Sequence, residues 1–510
     1  MRTIPELIER TVEGGGDRAW LSYEDTSYSF VQAHRHISGI AAAVSGLGVR
    51  RGSLVLATMR NSDTYLFLWL AAMRLGAVFV PVDPSATRSE LEGLIGQVRP
   101  GLVVTDAALH ELVGQSITAV GGGAQSALVE DLVSEVGDSP PPVRARPDDV
   151  AVMIPTSGTT GRSKLVMQTH RAYVLAAEGF PFWLGLTPDD RLMTSLPLFH
   201  VNAPVYSVLG SATAGAGLIL LPRFSAHSFI DSARRYGATE FNAIGAMLEI
   251  LMRQPEREDD PENPVRLCYT GPSPSKRRQL QIERRFGFEI VGGYALSESL
   301  YGLVWRRGTR PFGTLGSLRQ HPTLGEINFG RVRDGGRGVG PRATGELELK
   351  NPAIMTGYYN MPEETKEVLA DGWLRTGDLV TANADGTYTF AGRRKELIRR
   401  RGENLSPLEV EAALEDHPAV AEAAVVGIRS ELSDEDVKAF IVFTPGGAAP
   451  LVEIREFVAG RLARFKVPRY FEVVDGLPHT ATGRIAKHRL PRDRTDTEED
   501  FETRQPGETA

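Results

Sequence analysis

Between residues 150 and 295, short apolar runs alternate with amphipathic helical segments, and this rhythm restricts the fold more than any other feature. The runs are VAVMI, RLMTSLPLF, GLILL, EFNAI, VRLCY and FEIVG, and between them lie HSFIDSARRYG and PSKRRQLQIERRFG. Strand-length runs that end in turn residues and are separated by helices predict a layered α/β domain with largely parallel strands. Sheets of that kind bind ligands beyond the carboxyl ends of their strands, so chemistry is sought in the loops that follow each run.

The texture changes further on. GELELKNPAIMTGYY and DGTYTFAGRR read as short strands and hairpin turns, the pattern of a small β-barrel-like part. A basic run follows Gly392, and then a compact unit: helix LEVEAALEDH, strands AEAAVVGIR and VKAFIVF, helix VEIREFVAGRLARF and strand YFEVVD. A chain of 510 residues exceeds what one core usually serves. The expected division is an N-terminal α/β domain over 1–392, a join at 393–396, a smaller α+β domain over 397–495, and an acidic tail over 496–510. The tail has almost no apolar residues and reads as disordered.

Composition narrows the class. The single cysteine, Cys268, excludes an intramolecular disulfide framework and fits a reducing compartment. A net charge of −7 argues against a general nucleic-acid binder. The opening MRTIPELIER turns acidic too quickly for a secretory signal. The most membrane-like stretch, LFLWLAAMRLGAVFVPV, carries Arg74 and Gly76 and reads as a buried helix running into a strand. A cytoplasmic enzyme without membrane or nucleic-acid partners is the expectation; the oligomeric state is not legible.

The loop after VAVMI, PTSGTTGRSKLV, presents hydroxyls, bare backbone N–H groups and one ammonium to a small volume, which is an arrangement for anions. It is not a Walker loop, because Gly158 and Gly161 are separated by two residues and Lys164 is followed by Leu165. A solvated polar turn would have the same composition, so the loop is weighed with the motifs around it.

TSGTTGRSK resembles the phosphate loop of the adenylate-forming superfamily, which includes acyl-CoA synthetases, luciferases and peptide-synthetase adenylation domains. LPLFHVNA, GGYALSES, GELELKNPAIMTGYY, DGWLRTGDL, GRRKELIRRRGENLSPLEVE and LPHTATGRIAKHRL follow in that superfamily's order, so the resemblance spans nearly the whole chain. GAMLEILMRQP, RRGENLSPLEVE and SELSDEDVKAF look closest to the branch of carnitine and crotonobetaine CoA ligases.

The resemblance implies ATP, Mg²⁺ and, as acceptor, CoA. It implies that Thr156, Ser157, Gly158, Thr159, Thr160, Gly161 and Lys164 hold the departing phosphates, and that Glu298 and Thr160 bind Mg²⁺. Asp378 would hold the ribose, as an acceptor-only carboxylate can, with Arg393 beside it. Tyr294 and Ser297 would flank the nucleotide, Gly271 would let backbone approach the base, and His200 would line the passage from the acid to the nucleotide. The acid pocket would be framed by Val201, Asn202, Phe241, Gly245, Met247, Tyr269, Gly293 and Ala295. Lys395 would be the hinge of a mobile small domain, and Arg399, Arg400 and Arg401 either meet CoA phosphates or form a solvated strand edge.

One departure matters most. TGRIAK puts Arg484 where the superfamily's catalytic lysine bridges carboxylate and α-phosphate. Arginine keeps the charge but replaces a compact ammonium with a planar fork, which is not equivalent at a close-packed transition state, and Lys487 becomes a rival if the segment is helical. The expected activity is an AMP-forming acid ligase that adenylates a small carboxylic acid and passes the acyl group to CoA. Transfer to a carrier-protein thiol or an amine, nitrite activation that diazotises an aromatic amine, and a non-catalytic nucleotide-binding relative are the alternatives.

Overall fold

A computed structural model describes residues 2–501 apart from 122, 134–140, 157–162, 272, 335–336, 341, 401–402, 431–434 and 480–484, with backbone only for 395, 403, 404 and 488. The chain divides into two compact units, one of Met1–Gly330 with Glu348–Arg375, the other of Arg331–Leu347 with Thr376–Ala510.

The first unit contains the expected parallel strands. Gly217–Leu220, Arg191–Thr194, Glu240–Ala243, Leu267–Thr270 and Glu289–Leu296 lie side by side in that order, all parallel. Two of the helices between them, Phe229–Tyr236 and Lys276–Phe286, match the amphipathic segments and end at Gly237 and Gly287 in the left-handed conformation. A second sheet contains Leu102–Thr105, Leu54–Thr58 and Val78–Val82 in parallel, then Val150–Thr156 and its antiparallel partner Lys164–Thr169.

The membrane-like stretch is a buried helix, Asp63–Leu75, capped by the Ser62 hydroxyl at the Tyr65 N–H. Gly76, at φ 67°, turns the chain into Val78–Val82. Arg74 is tolerated in this helix because Glu9 pairs with it at 2.8 Å and the Pro141 carbonyl accepts from its Nε. Among the described residues no helix is long and apolar enough to cross a membrane.

The second unit holds the small-domain elements in the expected order: helix Pro407–Glu415, strands Val420–Arg429 and Glu435–Phe443, helix Leu451–Ala459 and strand Tyr470–Val473. Their apolar faces close one core around Val410, Leu414, Val425, Ile441, Ile454 and Phe471. The tail corrects the sequence reading. Glu498–Asp500 adds a strand antiparallel to Tyr470–Val473, and Phe501 is buried behind it.

The reason for that strand is electrostatic. Lys438 is wholly buried, and its ammonium is held by Glu472 at 2.8 Å and Glu498 at 2.6 Å; Asp500 pairs with Arg469 at 3.0 Å. These acidic residues neutralise buried Lys438 and partly buried Arg469 instead of solvating a free tail. Residues 502–510 lie outside the described part.

Candidate active site

In the first unit the hydroxyl-rich loop hangs from two register partners, Thr156 and Lys164, on antiparallel strands. The Thr156 hydroxyl donates to the Lys164 carbonyl at 3.2 Å, and the Gln97 amide donates to the carbonyl of Ser163 at 3.1 Å. Both loop ends are therefore fixed. Ser157, Gly158, Thr159, Thr160 and Gly161 lie outside the described residues.

The strand Gly357–Tyr358 pairs antiparallel with Lys164–Thr169, with Tyr358 opposite Val166. Lys164 is two residues from Val166 and so shares its face. As a result the Lys164 ammonium lies 4.5 Å from the centroid of the Tyr358 ring, within cation–π range. The Tyr358 hydroxyl donates to Glu298 Oε1 at 3.0 Å. Burial, and after it the negative charge of Glu298, raises the phenol pKa far above its ordinary value, so Tyr358 stays a donor.

Glu298 stands in the tight turn between Glu289–Leu296 and Ser299–Val304. Its carbonyl accepts from the Met355 N–H at 2.8 Å, and the Gln168 amide donates to the Ser297 carbonyl at 2.6 Å. Lys164 and Glu298, 134 positions apart in the chain, are thus joined through one side chain. Tyr358 is the member of this line that sequence reasoning did not name, although it lies in the motif GELELKNPAIMTGYY that was singled out.

The pocket expected for the acid divides by strand phase. Phe241 is wholly buried against Phe229 and Phe288, with ring centroids 5.0 and 5.2 Å away, so it is core and not pocket lining. Its neighbour Asn242 takes the other face, level with Tyr269 on the adjacent strand, and donates to Asn202 Oδ1 at 2.7 Å. Met247 is also buried in the core, while Val201, Gly245 and Ala295 are half-buried.

Tyr269 lies beneath Gly293: a Cβ added there would fall 2.3 Å from the phenol oxygen. Gly271 is required for a similar reason. A Cβ at that position would meet the Gly293 carbonyl at 2.3 Å, so the neighbouring strand demands glycine there whether or not a base is bound. Tyr294 is half-buried on the strand that carries Gly293. His200 packs its ring against Phe199, centroids 4.6 Å apart. It is followed by a π-helical stretch, Ala203–Val208, a geometry often found at functional sites.

In the second unit Asp378 and Arg393 are directly opposite on antiparallel strands, and the guanidinium Nε is 3.1 Å from Asp378 Oδ1. Asp378 is 1% exposed. The turn before it is fixed: the Thr376 hydroxyl accepts from the Asp378 N–H at 3.1 Å, and Glu346 accepts from the Gly377 N–H at 3.1 Å and from Arg394 at 3.0 Å. A buried carboxylate oriented by a partly exposed arginine fits a sugar-hydroxyl acceptor.

The described basic residues of this unit have the following partners. No α-helix is seen from Ile485 to Lys487. Ile485 bridges to His479, and a short 3₁₀ turn starts only at Lys487, whose ammonium pairs with buried Glu411 at 2.7 Å. Arg400 is buried, with its guanidinium donating to the carbonyls of Phe465 and Val467 and pairing with Asp436 at 3.3 Å, so it is structural; Arg399 on the opposite strand face is exposed. Arg484, Arg401 and the Lys395 side chain lie outside the described residues.

The AMP-binding enzyme family profile matches residues 8–359, and the profile of its C-terminal domain matches residues 409–484. Crotonobetaine/carnitine–CoA ligase of Salmonella agona is 29% identical over 505 residues, covering 93% of this chain and 96% of that protein. Among solved structures, ATP-bound MatB from Rhodopseudomonas palustris superposes with a TM-score of 0.88 at 25% identity, covering 95% of this chain and 97% of that one. The o-succinylbenzoate CoA synthetase MenE from Bacillus subtilis, in complex with its acyl-adenylate intermediate, gives 0.85 at 25% identity over 97% and 99% of the two chains. With a match over more than half its length, on a fold shared with these ligases, the chain belongs to the AMP-binding enzymes.

Proposed function

We propose that this protein is an AMP-forming acid–CoA ligase. The observation that carries the reading is the line Lys164–Tyr358–Glu298, which puts the lysine of the anion loop and a carboxylate on one phenol. In the first half-reaction a carboxylate oxygen bonds to the α-phosphorus of ATP as the bond to the bridging oxygen breaks, and pyrophosphate leaves. In the second, a thiolate sulfur bonds to the acyl carbon and AMP leaves.

Anions crowd together in the first step, and the chain answers with groups fixed beforehand. Lys164 neutralises the departing phosphates, with its ammonium steadied by the Tyr358 ring. Glu298 would hold Mg²⁺, and the ion would supply charge neutralisation to the phosphates. Among the described residues no three His, Cys, Asp or Glu side chains gather, and a single carboxylate plus substrate oxygens is how Mg²⁺ is commonly held. Asp378 accepts from ribose hydroxyls with Arg393 holding its orientation, and Arg484 supplies the cation for the reacting carboxylate and α-phosphate. The relatives named for CoA ligation support CoA as acceptor.

The test is pyrophosphate and AMP release from ATP across a panel of carboxylic acids plus nitrite, each with and without CoA or an aromatic amine. CoA-dependent formation of AMP and an acyl thioester is expected. ADP as product, or no pyrophosphate with any acid, refutes the reading; turnover that needs an amine reassigns the acceptor.

A further inference from the structure

Ser297 and Glu298 are the central residues of a hairpin in which Leu296 and Ser299 are directly opposite. Two-residue hairpin turns favour geometries with one or both central residues at positive φ, whose twist matches that of the flanking strands. Neither Ser297 nor Glu298 has a positive φ. The turn that carries the Glu298 carboxylate is therefore of a less favoured type, and bonds from outside it hold its shape.

Those bonds come from two segments. The Tyr358 hydroxyl donates to the Glu298 carboxylate, and the Met355 N–H donates to the Glu298 carbonyl at 2.8 Å. From the strand Lys164–Thr169, the Gln168 amide donates to the Ser297 carbonyl at 2.6 Å. That carbonyl belongs to the peptide unit between the two turn residues. A flip of this unit separates one turn type from another and changes the φ of the second residue, here Glu298.

Strand phase places Gln168 for this bond. Lys164, Val166 and Gln168 alternate with Leu165 and Met167 and share one face, and Tyr358 is opposite Val166. One strand face thus carries, in order, the lysine of the anion loop, the residue opposite Tyr358 and the amide that fixes the Ser297–Glu298 peptide. Gln168 is wholly buried, and its Oε1 has no hydrogen-bond partner. A half-satisfied buried amide is costly where an apolar side chain would serve for packing. The bond to Ser297 is what the glutamine adds at this position.

We infer that Gln168 is a positioning residue for adenylation, fixing the peptide unit that aims the Glu298 carboxylate relative to Lys164. The inference rests on the ligase reading above and adds a residue to its machinery. Gln168→Met keeps the length of the side chain and removes the donor. Gln168→Glu keeps the shape and donates only when protonated.

Amide hydrogen exchange is measured on the protein without ATP or metal; pyrophosphate release is then titrated with Mg²⁺ at fixed ATP and with ATP at saturating Mg²⁺. In Gln168→Met, exchange of the Met355 N–H should quicken by about tenfold or more, while the strand Lys164–Thr169 keeps its protection. The Mg²⁺ needed for half-maximal rate should rise by about 10–100-fold, with the KM for ATP at saturating Mg²⁺ within about threefold of wild type. Burial raises the pKa of a glutamic acid, so Gln168→Glu should be closer to wild type in Mg²⁺ requirement at about pH 6 than at about pH 9. Unaltered exchange at Met355 or an unaltered Mg²⁺ requirement in Gln168→Met overturns the inference, and so does protection lost evenly across the whole unit, the mark of packing alone. If Gln168→Met does not fold, a Gln168→Glu requirement in the same ratio to wild type at both pH values overturns it. A wild type that releases no pyrophosphate with any acid overturns the ligase reading and this inference with it.

Discussion

Replacing Tyr358 with phenylalanine removes one atom from the candidate site and leaves the rest of the side chain in place. The ring stays 4.5 Å from the Lys164 ammonium, and the hydroxyl that donates to Glu298 at 3.0 Å is lost. Tyr358 is 6% exposed, so solvent screens that bond little. A hydrogen bond to a charged acceptor is worth about 1.5–3 kcal/mol. At about 1.4 kcal/mol per decade this predicts a fall in kcat/KM of roughly 10- to 150-fold. The loss should appear mainly as a weaker dependence on Mg²⁺, because groups that orient a metal ligand typically change affinity or activity by about 10–100-fold. The assay is pyrophosphate release titrated with Mg²⁺ at fixed ATP and then with ATP at saturating Mg²⁺. Tyr358→Leu, which also removes the ring, should further raise the KM for ATP by a factor that reflects about 0.5–2 kcal/mol of cation–π attraction. Wild-type kcat/KM and Mg²⁺ dependence in Tyr358→Phe would refute the assignment of this residue to the site.

Lys487→Ala is expected to destabilise the second unit by about 3–5 kcal/mol, because it strands the buried Glu411 carboxylate, while Arg484→Ala is expected to abolish adenylation; calorimetry and pyrophosphate release are measured on both. His170 is wholly buried, and burial lowers its pKa from 6.5 to about 4. Below pH 6.5 the unfolded chain takes up a proton that the folded chain resists, so about 3 kcal/mol of stability should be lost between pH 6.5 and 4, and urea titrations of His170→Gln should lack that part of the slope. Glu240 is buried with both oxygens unpartnered, and desolvation raises its pKa well above 4.5. Above pH 4.5 the unfolded chain releases a proton that the fold retains, so stability falls as pH rises; Glu240→Gln should raise the melting temperature more at pH 8 than at pH 5.

Most of the fold is readable from hydrophobic rhythm, because parallel strands and their covering helices have periods that a single sequence displays, as EFNAI, VRLCY and KRRQLQIERRF show. The motifs likewise mark Lys164, Glu298, Asp378 and Arg393, since loop chemistry depends on residue type. What escapes is phase and partnership. Phe241 and Asn242 are adjacent, and nothing in EFNAI says which of them joins the aromatic core; the cluster around Phe229 and Phe288 decides it. Arg399 and Arg400 are alike on paper and opposite in burial. Lys487 looks available until Glu411, 76 positions earlier, is placed beside it. Tyr358 acquires a role only when its strand pairs with one nearly two hundred residues away.

The pairing of Lys438 with Glu498 has a consequence for synthesis. A growing polypeptide that has cleared the ribosome only as far as Tyr470–Val473 presents the inward-facing ammonium with Glu472 alone; its second carboxylate arrives some 25 residues later, at Glu498. Completion of this unit is therefore expected to wait until Glu498 has emerged, so a product stalled before that residue should be caught by proteolysis while the larger unit is already folded.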